Sequence, residues 1–216
     1  MKTWHAVLAA LALGLASLGY ALFLYPHLPE LIPIHWNIRG EVDGWAPKSW
    51  AVYLNPGITL VLIALIWGLP ALSPRPFSVD TFRQTFNYVI VVLCGLMAYI
   101  HVVMLQAALH PHADSGRYLI GGLFLFFALL GNVMGKVRRN LWMGIRTPWT
   151  LASEVVWDRT HRLAAWMLTG AGVLGFLLTL LSVSPAFSLA LLFVSLLAPV
   201  IYSLLLYKQL EHGDGL

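Results

Sequence analysis

The sequence predicts an all-α, polytopic membrane bundle of six transmembrane helices with an ordered outer loop and a short cytoplasmic amphipathic helix. Three observations predict it. Hydrophobic residues make up 59% of the 216 and charged residues 10%, against roughly 25% charge in a soluble domain. Mean hydropathy is +0.78. Six apolar runs, at 4–25, 51–72, 86–109, 118–135, 163–181 and 187–207, are each near the about 20 residues that a helix needs to cross a bilayer.

Backbone polar groups in lipid must be satisfied within the segment, so each run reads as a helix. The first run follows Lys2, as a cleavable signal would, but it continues to Tyr25 without a small-residue cleavage site and is longer than a signal core. It is expected to span. Cys94, the one cysteine, lies inside the third run; it permits no intramolecular disulfide and no cysteine-based metal site, and reads as a small buried apolar side chain.

Charge orients the bundle. If both termini share one side, that side holds Lys2, Arg75, Arg83, Lys136, Arg138, Arg139, Arg146, Arg159, Arg162 and Lys208, ten of the 13 basic residues; the other has Arg39, Lys48 and Arg117. By the positive-inside rule both termini are cytoplasmic. The formal net charge of +4 is then a topology signal and a match to anionic membrane lipid, and direct nucleic-acid binding is not expected. The linkers at 73–84 and 110–117 are short, and the chain divides into an N-terminal membrane unit, 1–72, and a second unit, 73–216. Two longer connections, 26–50 outside and 136–162 inside, have the length of functional loops and are too rich in tryptophan for disorder.

In the outer loop Pro26, Pro29 and Pro33 preclude a continuous helix, Arg39-Gly40 and Asp43-Gly44 supply turns, and Trp36, Trp45 and Trp50 suit the headgroup level. One reading is an interfacial cap. The other is a ligand surface, because His35, Asn37, Asp43 and Lys48 place an imidazole, an amide, a carboxylate and an ammonium together among the aromatic anchors Trp36 and Trp45. His27, His35, His110 and His112 share this side with Glu30, Glu41 and Asp43, but their spacing matches no zinc template, and no metal or cofactor is expected.

The inner loop holds a polar island at 140–162. Thr147-Pro148 reads as an N-cap followed by proline at the first helical position, with Thr150 as a second cap. Glu154, Asp158 and Arg162 recur at four-residue spacing, as do Trp157 and His161, which predicts one polar face on a short surface helix leading into the fifth span, with Ala152, Val155, Val156 and Leu163 on the other. His161 with Asp158 or Glu154 has the makings of an acid–base pair, yet no serine or cysteine stands in a nucleophile motif and no phosphate loop is present. The chain is therefore not expected to be an enzyme. Solvated ion pairs and a docking surface for a cytosolic protein are the two remaining readings of the island.

The inner residues Gly131-Asn132, Asn140, Gly144 through Leu151, Trp157 and Thr160-His161-Arg162 resemble the signature of the SdpI family of bacterial immunity and signal-transduction membrane proteins. The outer residues Leu28-Pro29, Ile32-Pro33, His35-Trp36-Asn37, Gly40, Asp43, Trp45 and Lys48 are similar to the uncharacterised N-terminal membrane domain that accompanies it. The resemblance implies a protein that confers resistance to an extracellular peptide toxin and recruits a cytosolic ArsR-like autorepressor. It further implies that His35, Trp36, Asn37, Asp43, Trp45 and Lys48 serve the toxin side, and that Asn140, Arg146, Thr147, Trp149, Trp157, Thr160, His161 and Arg162 serve the cytoplasmic response. Within the spans His101, Gln106 and Asn132 are the polar exceptions. A small-molecule or proton-coupled transporter is the alternative; with no acidic residue inside any span, a neutral His101 hydrogen-bonded between helices is the favoured reading.

Overall fold

The computed structural model describes residues 1–213; positions 214–216, at the end of the second predicted unit, lie outside the described residues. Helix α1 (Thr3–Leu24) stops where Pro26 enters a single 3₁₀ turn, Tyr25–His27, since proline has no N–H to continue the ladder. The chain then forms an antiparallel hairpin, β1 (Leu31–Trp36) with β2 (Val42–Pro47). Helices α2 (Lys48–Ala71), α3 (Arg83–Leu109), α4 (Ser115–Met134), α5 (Pro148–Ala152), α6 (Glu154–Leu180) and α7 (Pro185–His212) follow.

Six of these helices, all except α5, are long and apolar enough to cross a membrane. The first four and the last agree with the sequence expectation to within a few residues. The fifth begins at Glu154, well before the expected position 163, because Ser153 caps it by accepting the Val156 N–H and no breaker follows. The short helix expected in the island is therefore α5 alone.

The helices pack in two groups of three. Helices α1, α2 and α3 contact one another, α4 packs most extensively on α6 and α6 on α7, and the groups meet along α3 and α4. The predicted boundary between residues 72 and 73 falls at the end of α2, whereas α3 packs against α1 and α2. Small residues let the second group close: a Cβ at Gly172 would collide with the Ala128 backbone, so α4 and α6 touch backbone to backbone. A shared core joins the groups, with Ala10, Ile66, Phe86 and Cys94 on one side and Phe124, Trp157 and Leu168 on the other.

The chain reverses five times, alternately at opposite ends of this bundle. One end carries the hairpin, the 110–114 turn and the 181–184 turn. The other carries both terminal regions, the 72–82 linker with its two 3₁₀ turns, and a folded segment, residues 135–153, hereafter the arm. Two tryptophans tie the groups together, one at each end. The Trp36 indole N–H of the hairpin donates to Ser115 Oγ at the start of α4, 2.8 Å, and the Trp142 indole N–H of the arm donates to Ser73 Oγ beyond α2, 2.8 Å.

Candidate functional site

The arm is built by its own polar side chains. Asn140 is fully buried and uses its whole amide: Nδ2 donates to the carbonyls of Arg138 (2.8 Å) and Met143 (3.0 Å), and Oδ1 accepts from the N–H groups of Trp142 (2.7 Å) and Met143 (2.9 Å). A primary amide offers two donors and an acceptor in one plane, and on the short asparagine side chain it folds the 138–143 turn. Gly144 has φ +100°, and a Cβ there would strike His161 Nε2; the left-handed region and the missing side chain are both required.

The cap expected at Thr147-Pro148 is present. Thr147 Oγ1 accepts the Thr150 N–H, and Thr150 Oγ1 accepts the Thr147 N–H at 2.9 Å. Arg146 is exposed and donates to the Leu141 carbonyl. Trp149, half-buried, donates its indole N–H to Ser203 Oγ of α7 at 2.6 Å, which docks α5 on the bundle.

One expectation is corrected here. Trp157 and His161 do not share an exposed face with Glu154, Asp158 and Arg162: the first two are at most 1% exposed, as is Thr160 beside them, and the latter three are exposed. Four-residue spacing put them on adjacent stripes of α6, and α6 turns one stripe inward beneath the arm. Val156, expected opposite the polar face, is buried as well, while Val155 is exposed. The Trp157 indole N–H donates to the Val137 carbonyl at 2.7 Å, and its ring stacks on His161 at 4.0 Å.

His161 Nε2 lies 3.0 Å from the Ile145 N–H, and Nδ1 lies 2.8 Å from the Trp157 carbonyl. An N–H must meet a lone pair and a carbonyl must meet a proton, which assigns the neutral tautomer with the proton on Nδ1. Both nitrogens are thus occupied, Nε2 pinning the arm to α6 and Nδ1 on the carbonyl of α6's own preceding turn, and neither is presented to a substrate. Asp158 and Glu154, the acid–base partners considered for it, instead pair with Arg138 at 3.5 Å and Arg139 at 3.3 Å.

At the other end His35 Nδ1 lies 2.5 Å from Asp43 Oδ1, across the hairpin, with both side chains exposed. The register makes this pair. Pro33 faces Trp45, but His35 faces Gly44 and Trp36 faces Val42, so the strands slip by one residue on each side of His35, as bulges do. Asn37, half-buried, accepts the N–H groups of Arg39 (2.8 Å) and Glu41 (3.1 Å) on Oδ1 and donates to Glu41 Oε2 at 2.9 Å. The Asn37 amide, followed by the Arg39 guanidinium, holds the Glu41 carboxyl below its ordinary range. Trp45 is exposed. Lys48 is turned inward onto Glu30 (3.0 Å), the Leu28 carbonyl (3.2 Å) and the Tyr25 ring.

The hairpin stands over α4. A Cβ at Gly116 would meet the Gly40 Cα at 2.5 Å, so only glycine admits the turn, which has φ +80° at Gly40. A groove of about 290 Å³ runs beneath it between Ile34, His35, Trp36, Leu96, Ile100 and Leu123. Among the described residues no group of three or more His, Cys, Asp or Glu is close enough to hold a metal ion.

Inside the spans His101 is buried and pairs through Nδ1 with Ser17 Oγ of α1 at 2.6 Å. Gln106 donates to the Tyr20 hydroxyl. Asn132 is exposed at the last turn of α4. Two further buried amides escaped the sequence reading: Asn55, which donates to Met104 Sδ at 3.3 Å, and Asn87, which donates to the Met1 carbonyl and Thr3 Oγ1. Each was visible as an amide within or at the edge of an apolar run. Ser73, Ser115 and Ser203, the acceptors of the tryptophans, carried no such signal.

Comparison with known proteins converges on these same surfaces. Residues 136–203 match the model of the SdpI/YfhL protein family and residues 12–60 that of a domain of unknown function, DUF1648. The first interval runs from the arm into α7, and the second contains the whole hairpin. Over 197 residues the chain is 27% identical to the immunity protein SdpI of Bacillus subtilis (strain 168), covering 90% of this chain and 91% of that protein. No solved structure matches the chain. The chain is thus a six-span membrane protein whose arm and last two spans match the SdpI/YfhL family model and whose hairpin region matches that of DUF1648.

Proposed function

We propose that this chain is an integral membrane immunity and sensor protein: the hairpin binds an extracellular peptide toxin, and the arm engages a cytosolic ArsR-like repressor. The observation that carries this reading is similarity to an immunity protein over nine-tenths of both chains. Ordered polar surfaces at both ends of the bundle support it.

The charge distribution supports an orientation with the arm and both terminal regions in the cytoplasm and the hairpin outside, since ten of the 13 basic residues fall on the arm side. On the hairpin, His35, Asp43 and Trp45 are exposed for contact, with Asn37 beside them. Trp36 and Lys48 fix the hairpin to the bundle. On the arm, Arg146 and Arg162 are exposed for contact; Asn140, Thr147, Trp149, Trp157, Thr160 and His161 shape the surface that presents them.

The test is survival. A toxin-sensitive bacterium expressing the chain should survive a membrane-active peptide toxin that kills the parent strain. His35→Ala and Asp43→Asn, at unchanged protein level, should remove the protection. Unaltered killing across a panel of such toxins contradicts the proposal.

A further inference from the structure

The hairpin end has three basic side chains, and Lys48 is already occupied by Glu30 and Leu28. The other two, Arg39 and Arg117, line one cleft of about 280 Å³ between the hairpin turn, the first turns of α4 and the 181–184 turn. Each keeps hydrogen-bonding capacity that its own contacts do not use. Arg117 caps α6 with Nε on the Thr179 carbonyl (2.8 Å) and Nη2 on the Leu180 carbonyl (2.5 Å), leaving Nη1 without an assigned partner. Arg39 is bound to Glu41 through Nε at 3.0 Å, which leaves both terminal nitrogens. A guanidinium presents five N–H donors in a planar fork suited to phosphate and carboxylate oxygens.

The third wall is Ser182, which has φ +59° and is the one non-glycine residue with positive φ among the described residues. It closes α6 in a Schellman turn: the Ser182 N–H bonds the Thr179 carbonyl (3.2 Å) and the Val183 N–H bonds the Leu178 carbonyl (3.0 Å). Glycine is the favoured residue at that position, so a hydroxyl is kept on the cleft wall at a backbone cost. Two carboxylates lie close, and both are committed. Asp114 accepts the Arg117 N–H as the cap of α4, and Glu41 binds Asn37 and Arg39.

We propose that this cleft binds the phosphate of an anionic phospholipid in the leaflet on the hairpin side. Its depth fits: α4 begins and α6 ends at the cleft, the level at which spans pass from hydrocarbon to headgroups. Its walls fit a lipid better than a free anion, because Ile120 and Val183 complete the lining beside the polar groups and offer an apolar path for the glycerol and upper acyl carbons. The four charged groups, Arg39, Arg117, Asp114 and Glu41, sum to zero, so recognition rests on directed hydrogen bonds and on the high local concentration of lipid.

Native mass spectrometry of the full chain in detergent, titrated with phosphatidylglycerol, with diacylglycerol and with inorganic phosphate, tests this. The expected result is saturable binding of phosphatidylglycerol well above diacylglycerol and phosphate, weakened about tenfold or more by Arg39→Ala, the size expected for a lost charge-assisted hydrogen bond. Ser182→Gly separates binding from folding: it should raise the thermal midpoint in lipid-free detergent while lowering lipid affinity. Undiminished phosphatidylglycerol binding in both variants, or equal binding of diacylglycerol, overturns the proposal. Equal affinity for inorganic phosphate overturns the lipid assignment.

Discussion

His161 is an imidazole whose two nitrogens are both spent on backbone partners, Ile145 and Trp157. Removing it leaves the part-buried Ile145 N–H without an acceptor and a gap against Trp157, so His161→Ala should cost about 2–3 kcal/mol, read as a lower midpoint of thermal unfolding in detergent. Gly144→Ala should cause a loss of similar direction, because its φ of +100° and its contact with the same imidazole both oppose a methyl group. Glu41 gives a test in pH. Its carboxylate is favoured first by Asn37 and then by Arg39, so its support of the hairpin turn is present above the ordinary carboxylate range and is lost as pH falls through the lowered folded value. The Glu41 carboxyl resonance should therefore titrate below that of an ordinary glutamate, and Asn37→Ala should move it upward. The sequence marked His161 as a candidate acid–base group but not what it does, because the Ile145 N–H that its Nε2 accepts is brought to it only by the folded arm.

Elements were legible where chemistry is local. The five spans that follow apolar runs, and the Thr147-Pro148 start of α5, lie where composition and cap residues put them, since a membrane helix satisfies its own backbone. The hairpin was legible only as an extended, turning segment. Pro33 within β1 and the slips around His35 break the two-residue alternation by which a strand is recognised. The polar stripe of α6 misled in another way: spacing told which residues align along the helix but not that the arm covers Trp157 and His161. The hairpin's seat on α4 is a property of the element. Gly116→Ala should lift it, and limited proteolysis should cut between Asn37 and Glu41 faster than in the parent protein, with the bundle still folded.

At the scale of the whole molecule, two three-helix groups share one seam and are tied by Trp36 to Ser115 at one end and by Trp142 to Ser73 at the other. Those pairs are 79 and 69 residues apart in the chain, which is why no sequence pattern announced them. Trp36→Phe and Trp142→Phe should each cost about 1 kcal/mol, the net worth of one hydrogen bond. The losses should add in the double variant, because helices of this length hold the ties about 40 Å apart; unfolding midpoints of the four proteins check this. In the proposed orientation the hairpin and the arm face opposite sides of a membrane, the hairpin outward. Cysteine labelling in intact cells tests it most directly, in a Cys94→Ser background with Ile38→Cys in the hairpin turn or Arg146→Cys in the arm. A membrane-impermeant maleimide should label position 38 in intact cells and position 146 only after lysis. Labelling of position 146 in intact cells, or of both positions alike, would contradict it.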